Sequence, residues 1–280
     1  MSCSLPIGKK LAQILVTGSS GYIGQNVIRE LAGADVKVFA MTRKLISDDV
    51  LKQHKKLNFF YQNLESKFDI PGSITEGSHV LHLAWDNLSD YQSPAHEGKI
   101  LQSHLRFLRE LISRGVKSIT VAGTCFEYGS VDGPVSSQAI ANPYPGYATA
   151  KNQLRMQLQK YAENYGVNIK WGRIFYVYGK NDTKPSLFNL LDKSNEIGKL
   201  TVRMTDCEQI RDYLPVDQVA KQLISLTYCS TQGVFNICSS KPVRLKDIVK
   251  KYIRDNNYNV TPMFGSLKKP LSEQRNFWGE

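Results

Sequence analysis

Two rhythms of apolar and polar positions alternate along the chain up to about residue 180. Short apolar runs rich in β-formers lie at 12–17, 36–41, 57–61, 79–84, 118–122 and 168–176, and each is long enough for a strand. Between them, apolar residues recur at helical spacing. Ile23, Val27, Ile28 and Leu31 mark a helix over 22–31, and Leu101, Leu105, Leu108 and the Leu111/Ile112 pair mark another over 100–114. A longer helix is expected over 147–165. Strands alternating with helices build βαβ units, so the expected fold is α/β: a doubly wound parallel sheet with helices on both faces. After Gly179 the rhythm changes: 185–199, 216–228 and 245–255 read as helices, 200–204 and 234–238 as strands, and 256–280 shows no period. This divides the chain into a first domain over 1–180 and a smaller lobe over 181–280, interleaved with the first.

The loop after the first strand carries the clearest chemistry. Thr17-Gly18-Ser19-Ser20-Gly21-Tyr22-Ile23-Gly24 is a G-x-x-G-x-x-G turn between an expected strand and an expected helix. Such a turn must be tight, must let backbone approach a pyrophosphate, and must pack the helix close to the strand. The N–H groups at the helix start then face the phosphates. A merely glycine-rich loop is the bland alternative, and the strand–loop–helix setting argues against it. The expected fold is therefore Rossmann-type, with Gly18, Ser20, Gly21, Tyr22, Ile23 and Gly24 at a dinucleotide. The second strand runs into Arg43-Lys44, with no carboxylate before Asp48. A carboxylate there would suit the ribose hydroxyls of NAD; two cations suit a 2′-phosphate, so NADP is favoured and NAD stays open. Alternatively, Arg43 and Lys44 simply begin a solvated loop.

Composition narrows the classes. Hydrophobic residues make up 41% and charged residues 22% of 280, which excludes a disordered or fibrous chain. No apolar run reaches the ~18 residues of a membrane span. The first ten residues lack a signal-peptide core, so a cytoplasmic protein is expected. Five cysteines, an odd number with no C-x-x-C pair, argue against a disulfide framework or a thiolate metal site. The net charge of +11 favours anionic partners, yet the basic residues are dispersed, so neither nucleic acid nor membrane is expected as a partner.

Tyr147 and Lys151 stand four apart on the expected helix and share a face. A phenol is a poor acid–base near neutrality unless a cation stabilises its phenolate, and a lysine one turn away can do so while holding a cofactor ribose. Pro143 and Pro145 fix the entry to that helix.

With these motifs in order, residues 12–255 resemble the extended short-chain dehydrogenase/reductases, the NAD(P)-dependent epimerase/dehydratase group acting on nucleotide sugars. The resemblance rests on Thr17–Gly24, on His82-Leu83-Ala84 after the fourth strand, on Tyr147 with Lys151, on Arg173 to Gly179, and on Arg211-Asp212-Tyr213 through Val216-Asp217. It implies that Thr124, placed before the Tyr128-Gly129 pair, hydrogen-bonds the substrate oxygen, that Tyr147 exchanges the proton, and that Lys151 lowers the phenol's pKa. It adds Asn63, Leu64, Leu83 and Ala84 to the cofactor residues, and Cys125, Glu127 and Arg211 to the substrate residues. It implies a nucleotide-sugar substrate and a homodimer. The group's helix asparagine is not found over 96–108, which holds Gln102, Ser103 and His104 instead.

Sugar dehydratases of that group carry Asp-Glu directly after the threonine. Here Cys125-Phe126 follow, and a thiol with a phenyl ring cannot replace the acid and base of an elimination. Reduction of a 4-keto sugar and 4-epimerisation remain. The stretch Gly123–Gly129 and the short lobe resemble bacterial reductases of nucleotide-activated 4-keto-6-deoxyhexoses, which serve surface polysaccharides of the O-antigen type. Glu127 either contacts substrate or is a partly exposed strand-end charge. Arg211 either meets a diphosphate, as a guanidinium can, or pairs with an adjacent loop. The aromatics Phe264, Phe277 and Trp278 read as core before partner contact. A non-catalytic member, sensing redox state or binding RNA, is the other class; such members usually lose the tyrosine or lysine, and this chain keeps both.

Overall fold

The computed structural model describes residues 12–43, 56–182, 186–268 and 276–280. Its strands, in chain order, are β1 (Ile14–Thr17), β2 (Val38–Thr42), β3 (Leu57–Tyr61), β4 (His79–His82), β5 (Ser118–Thr124), β6 (Gly133–Val135), β7 (Asn168–Ile174), β8 (Tyr176–Tyr178), β9 (Thr201–Arg203), β10 (Ile210–Pro215), β11 (Gly233–Ile237), β12 (Pro242–Arg244), β13 (Thr261–Met263) and β14 (Asn276–Gly279). The α-helices are α1 (Tyr22–Ala32), α2 (Leu101–Ser113), α3 (Gly146–Glu163), α4 (Leu187–Glu196), α5 (Val216–Tyr228) and α6 (Leu245–Asp255). A π-helical turn over His96–Ile100 leads into α2, and a 3-10 turn over Cys125–Tyr128 follows β5.

Two compact units emerge. The first takes in the described residues up to Gly129, then Ile140–Ile174 and Asp217–Ile237. Its sheet has the order β11-β7-β5-β4-β1-β2-β3, with every pairing parallel. Strands β1, β2 and β4 are buried along their whole length, which is why they read as unbroken apolar runs. On α1 the buried positions Gly24, Val27, Ile28 and Leu31 follow the helical period. On α2 the buried face includes His104 beside Leu101, Leu105, Leu108 and Leu111. The strand order reverses between β1 and β4, and a doubly wound sheet binds ligands beyond the carboxyl ends at such a switch point.

The second unit comprises Ser130–Ala139, Phe175–Val216 and the described part of Cys238–Glu280. The boundary drawn at residue 180 is therefore crossed both ways: β6 belongs to this unit, and α5 and β11 belong to the first. Its larger sheet has the order β12-β10-β14-β6, with β8 also on β10, and β13 pairs with β9. Strand β14 lies in the stretch without period, and its Phe277 is fully buried with its ring 5.2 Å from that of Phe175. Phe188, Leu191, Val202, Ile248, Val249 and Tyr252 form the core of this unit.

Candidate active site

The glycines after β1 are demanded by close backbone contacts. Gly18 has φ +66°, and a Cβ there would stand 2.7 Å from the backbone nitrogen of Ala84. A Cβ on Gly24 would lie 2.1 Å from the carbonyl oxygen of Gly18. Gly21 caps α1 in extended conformation, no side chain caps the helix, and no acidic residue occupies its first turn. An open, acid-free helix start is what an anionic pyrophosphate requires, so these residues fit a dinucleotide. Ser19 fixes the loop by donating to the carbonyl of Met41 at 2.8 Å. Thr17 Oγ1 accepts the N–H groups of Leu83 and Ala84, each at 3.2 Å, so the turn after β4 is bound to the loop after β1. Asn63 and Leu64 follow β3 at the same edge; Asn63 Oδ1 accepts the Glu65 N–H at 3.0 Å, and Leu64 is buried. Arg43 is exposed and pairs with Asp86. The expectation that no carboxylate competes for Arg43 is thereby corrected: the carboxylate comes from the loop after β4, which sequence order hides. Lys44 lies outside the described residues.

On the other side of the switch point, β5 ends at Thr124, and the start of α3 presents Tyr147 and Lys151 one turn apart. Thr124 hydrogen-bonds the Tyr147 hydroxyl, which brings two of the three expected catalytic side chains together. The Tyr91 ring stacks on Tyr147 with centroids 5.0 Å apart, and the Tyr147 N–H donates to the Tyr91 carbonyl at 3.0 Å. Lys151 is buried; its Nζ donates to the Ala122 carbonyl at 2.7 Å and lies 5.9 Å from the Tyr147 ring. Burial raises the Tyr147 pKa well above the usual phenol value, with Tyr91, Glu127 and Cys125 adding to the rise and the Thr124 bond opposing it. The expected lowering by Lys151 is not what governs this phenol, because lost phenolate solvation dominates. Tyr147 is held protonated.

Glu127 is corrected outright. It is neither a partly exposed charge nor open to substrate: it is fully buried. Its Oε1 accepts the Thr124 N–H at 2.8 Å, both oxygens accept the Trp171 indole N–H at 2.9 Å, and Oε2 accepts Arg173 Nε at 2.9 Å. Gly123 leaves room for this, since a Cβ there would lie 2.2 Å from Trp171 Nε1. Cys125, next to Thr124, is also buried. In the second unit, Arg211 is 4% exposed, donates to the Ile210 carbonyl at 2.8 Å and lies over the Tyr176 ring. Its neighbour Asp212 is fully buried and accepts the Ser239 N–H at 2.6 Å and the Ser240 N–H at 2.9 Å. The arginine–aspartate segment thus holds its own unit together.

Residues 14–238 match the model of the NAD dependent epimerase/dehydratase family. The chain belongs to this family. A relative from Aggregatibacter actinomycetemcomitans, dTDP-6-deoxy-L-talose 4-dehydrogenase (NAD(+)), is 27% identical over 95% of this chain and 98% of its own. An uncharacterized UDP-glucose epimerase from Bacillus subtilis (strain 168) is 27% identical over 76% of this chain and 72% of its own. Among solved structures, a UDP-N-acetylglucosamine 4-epimerase from Methanobrevibacter ruminantium M1, in complex with UDP-N-acetylmuramic acid, superposes with TM-score 0.83 at 19% identity, over 97% of this chain and 90% of that one. A UDP-glucuronic acid 4-epimerase from Bacillus cereus, in complex with UDP-glucuronic acid and NAD, superposes with TM-score 0.77 at 20% identity, over 96% and 90%. Those two likenesses are likenesses of fold.

As a member of the epimerase/dehydratase family, the chain is an NAD-dependent enzyme of nucleotide-sugar chemistry. Among the described residues, no helix is long and apolar enough to cross a membrane, and no His/Cys/Asp/Glu group could hold a metal. The sequence reading gave no role to four residues around the tyrosine and lysine: Trp85, Tyr91, His96 and His104. His104 occupies the buried face of α2, in the segment where no asparagine was found, with its Nδ1 2.7 Å from His82 Nε2. Only His82, inside the His-Leu-Ala turn, carried a sequence signal. The other four come from an irregular loop, the π-helical turn and the start of α2, where no single period collects them.

Proposed function

We propose that this enzyme reduces the 4-keto group of a nucleotide-activated 4-keto-6-deoxyhexose, with NAD(P)H as hydride source, for surface polysaccharide of the O-antigen type. The observation that carries the reading is the chemistry at the end of β5. Cys125 and Phe126 follow Thr124, and Glu127 is consumed by Trp171, Arg173 and the Thr124 N–H. Water elimination needs an accessible acid and base at that place, and neither is offered. The relative matched over nearly its whole length is named as a 4-dehydrogenase of a 6-deoxy sugar, which supports the same choice.

Held by the Gly18–Gly24 loop and Lys151, a reduced nicotinamide dinucleotide would supply the hydride for C4 of the sugar. The oxygen left negative at C4 takes a proton from the Tyr147 hydroxyl, and Thr124 donates a hydrogen bond to the same oxygen. The phenol carries its proton in this structure, as the acid of this step requires. Solvent returns the proton to Tyr147. Lys151 holds the ribose and offsets the phenolate while it lasts. Arg43 supports NADP(H), but a 2′-phosphate has to displace Asp86 to reach it, so the preference is modest.

That same Arg43–Asp86 pair favours a second reading, a 4-epimerase that retains NAD. One experiment separates the two. The protein is incubated with NADPH or NADH and nucleotide-linked 4-keto-6-deoxyhexoses and, in parallel and without added cofactor, with the corresponding 4-hydroxy nucleotide sugars, and absorbance at 340 nm is followed. Stoichiometric cofactor oxidation supports the reductase. NAD released only on denaturing the protein, with sugar epimers interconverting at constant absorbance, establishes the epimerase instead.

A further inference from the structure

The residue after the His82-Leu83-Ala84 turn is Trp85, and no step above uses it. Its indole is 7% exposed. Lys151 Nζ lies 4.1 Å from the centre of its ring, nearer than to the ring of Tyr147. The indole is itself fixed from two directions. The His104 ring stacks on it with centroids 4.5 Å apart, and its N–H donates to His96 Nδ1 at 3.2 Å. His96 Nε2 donates in turn to the Asp90 carbonyl at 2.8 Å.

The His104 side is tied back to the glycine-rich loop. Thr17 Oγ1 already accepts two backbone N–H groups, so its own proton goes to His82 Nδ1 at 2.9 Å. His82 then carries its proton on Nε2 and donates it to His104 Nδ1. Both imidazoles are neutral in this arrangement, and neither repels the lysine. His104 Nε2–H ends the chain without a partner among the described residues. A desolvated ammonium needs compensation, and an aromatic face gives it without taking up an N–H donor. The lysine assigned to ribose and tyrosine needs its donors for them.

We propose that Trp85 is a positioning residue for Lys151: its indole face, clamped by His104 and His96, sets where the lysine ammonium stands, and so links the glycine-rich loop to the catalytic tyrosine–lysine pair. This rests on the reading of Lys151 as the ribose-holding lysine.

A double-mutant cycle tests it. Dissociation constants for NADH and NADPH are measured by dinucleotide fluorescence for wild type, Trp85→Leu, Lys151→Met and the double variant, with circular dichroism on each. Trp85→Leu is expected to weaken binding by about tenfold in the wild-type background. It should add less than about twofold once Lys151 is gone, and Trp85→Phe, which keeps a ring face, should recover most of the loss. In the cofactor-free protein, Lys151→Met should shift tryptophan emission, and the shift should vanish in the Trp85→Phe background. Equal losses in both backgrounds, or an emission shift that survives Trp85→Phe, overturn the proposal while leaving Lys151 as the ribose lysine. Unchanged affinity on Lys151→Met alone overturns that reading and this inference with it. If Trp85→Leu does not fold, Trp85→Met takes its place in the cycle, and the emission measurements decide alongside it.

Discussion

Two arginine–carboxylate pairs flank the switch point of the parallel sheet, one beside Thr124 on the proposed catalytic side and one after β2 and β4 on the proposed cofactor side. Arg173 and Glu127 have side chains 2% and 0% exposed; those of Arg43 and Asp86 are 56% and 28% exposed. The same chemistry therefore has two uses. The buried pair is locked by Trp171 and the Thr124 backbone, and the Arg173 guanidinium also lies 4.2 Å over the Tyr128 ring. It fixes the end of β5, and with it Thr124, the proposed hydrogen-bond donor to the substrate oxygen. The exposed pair can exchange partners with solvent or a phosphate at little cost. Burial, rather than the residue types, decides which pair is frame and which is available.

The largest effect belongs to the catalytic side. Tyr147→Phe removes the proton donor and leaves the aromatic packing on Tyr91 in place. Turnover should fall by about 10²–10⁴-fold, with cofactor affinity nearly unchanged. A variant retaining more than roughly a tenth of the wild-type rate would remove Tyr147 from the acid–base role.

Glu127→Gln sharpens the contrast next. It leaves the buried Arg173 charge without its counterion, which costs about 3–5 kcal/mol, or roughly 10 °C in unfolding midpoint. Adding Arg173→Met should restore part of the loss. The exposed pair gives the control: Asp86→Asn should change stability by about 1 kcal/mol or less. Calorimetry reads both, and equal shifts would dissolve the distinction between the pairs.

The same difference explains what the sequence disclosed. In the first unit, strands buried on both faces appear as continuous apolar runs, and the glycine loop and the Tyr147–Lys151 spacing are local patterns. In the second unit, β8, β12 and β13 have three residues each, too few for a period, whereas the strand read over 200–204 is β9. Strand β10 was missed because its buried positions include Arg211 and Asp212, charges that break an apolar pattern. Pairings such as Asp86 with Arg43 or Glu127 with Trp171 join residues distant in sequence, so neither burial nor partner could be read in advance.

Between the two sides lie buried histidines, and they make an acid-sensitive link. Burial lowers the pKa of His82 to about 3 and that of His104 well below the usual value, the nearby Lys151 adding to both. Burial also lowers His79 to about 4. On unfolding, each returns to about 6.5. Below that pH the unfolded chain binds protons that the folded chain refuses, so stability is full above about pH 6.5 and is lost as pH falls toward 4. Each histidine contributes a slope of up to roughly 1.4 kcal/mol per pH unit. Urea unfolding between pH 7.5 and 4.5 should show this fall, and His104→Gln should flatten it. A wild-type stability independent of pH over that range would mean that the pair accepts protons in the folded state.

The smallest effect is on the cofactor side and concerns Arg43. A charge-assisted contact to a 2′-phosphate is worth about 1.5–3 kcal/mol when it forms freely. Here it forms only by displacing Asp86, and the exposed guanidinium is screened by salt. Arg43→Ala should therefore raise the NADPH dissociation constant by about three- to tenfold, less than a free arginine would give. NADH binding should stay within about twofold, because NADH has no 2′-phosphate to lose. Asp86→Asn should act in the opposite sense, tightening NADPH and leaving NADH unchanged, since the arginine is then released for the phosphate. Titrating both cofactors at low and high salt checks all three statements. Equal changes for NADH and NADPH would make the pair a loop fastener and return the chain to the reading of an epimerase that keeps its NAD.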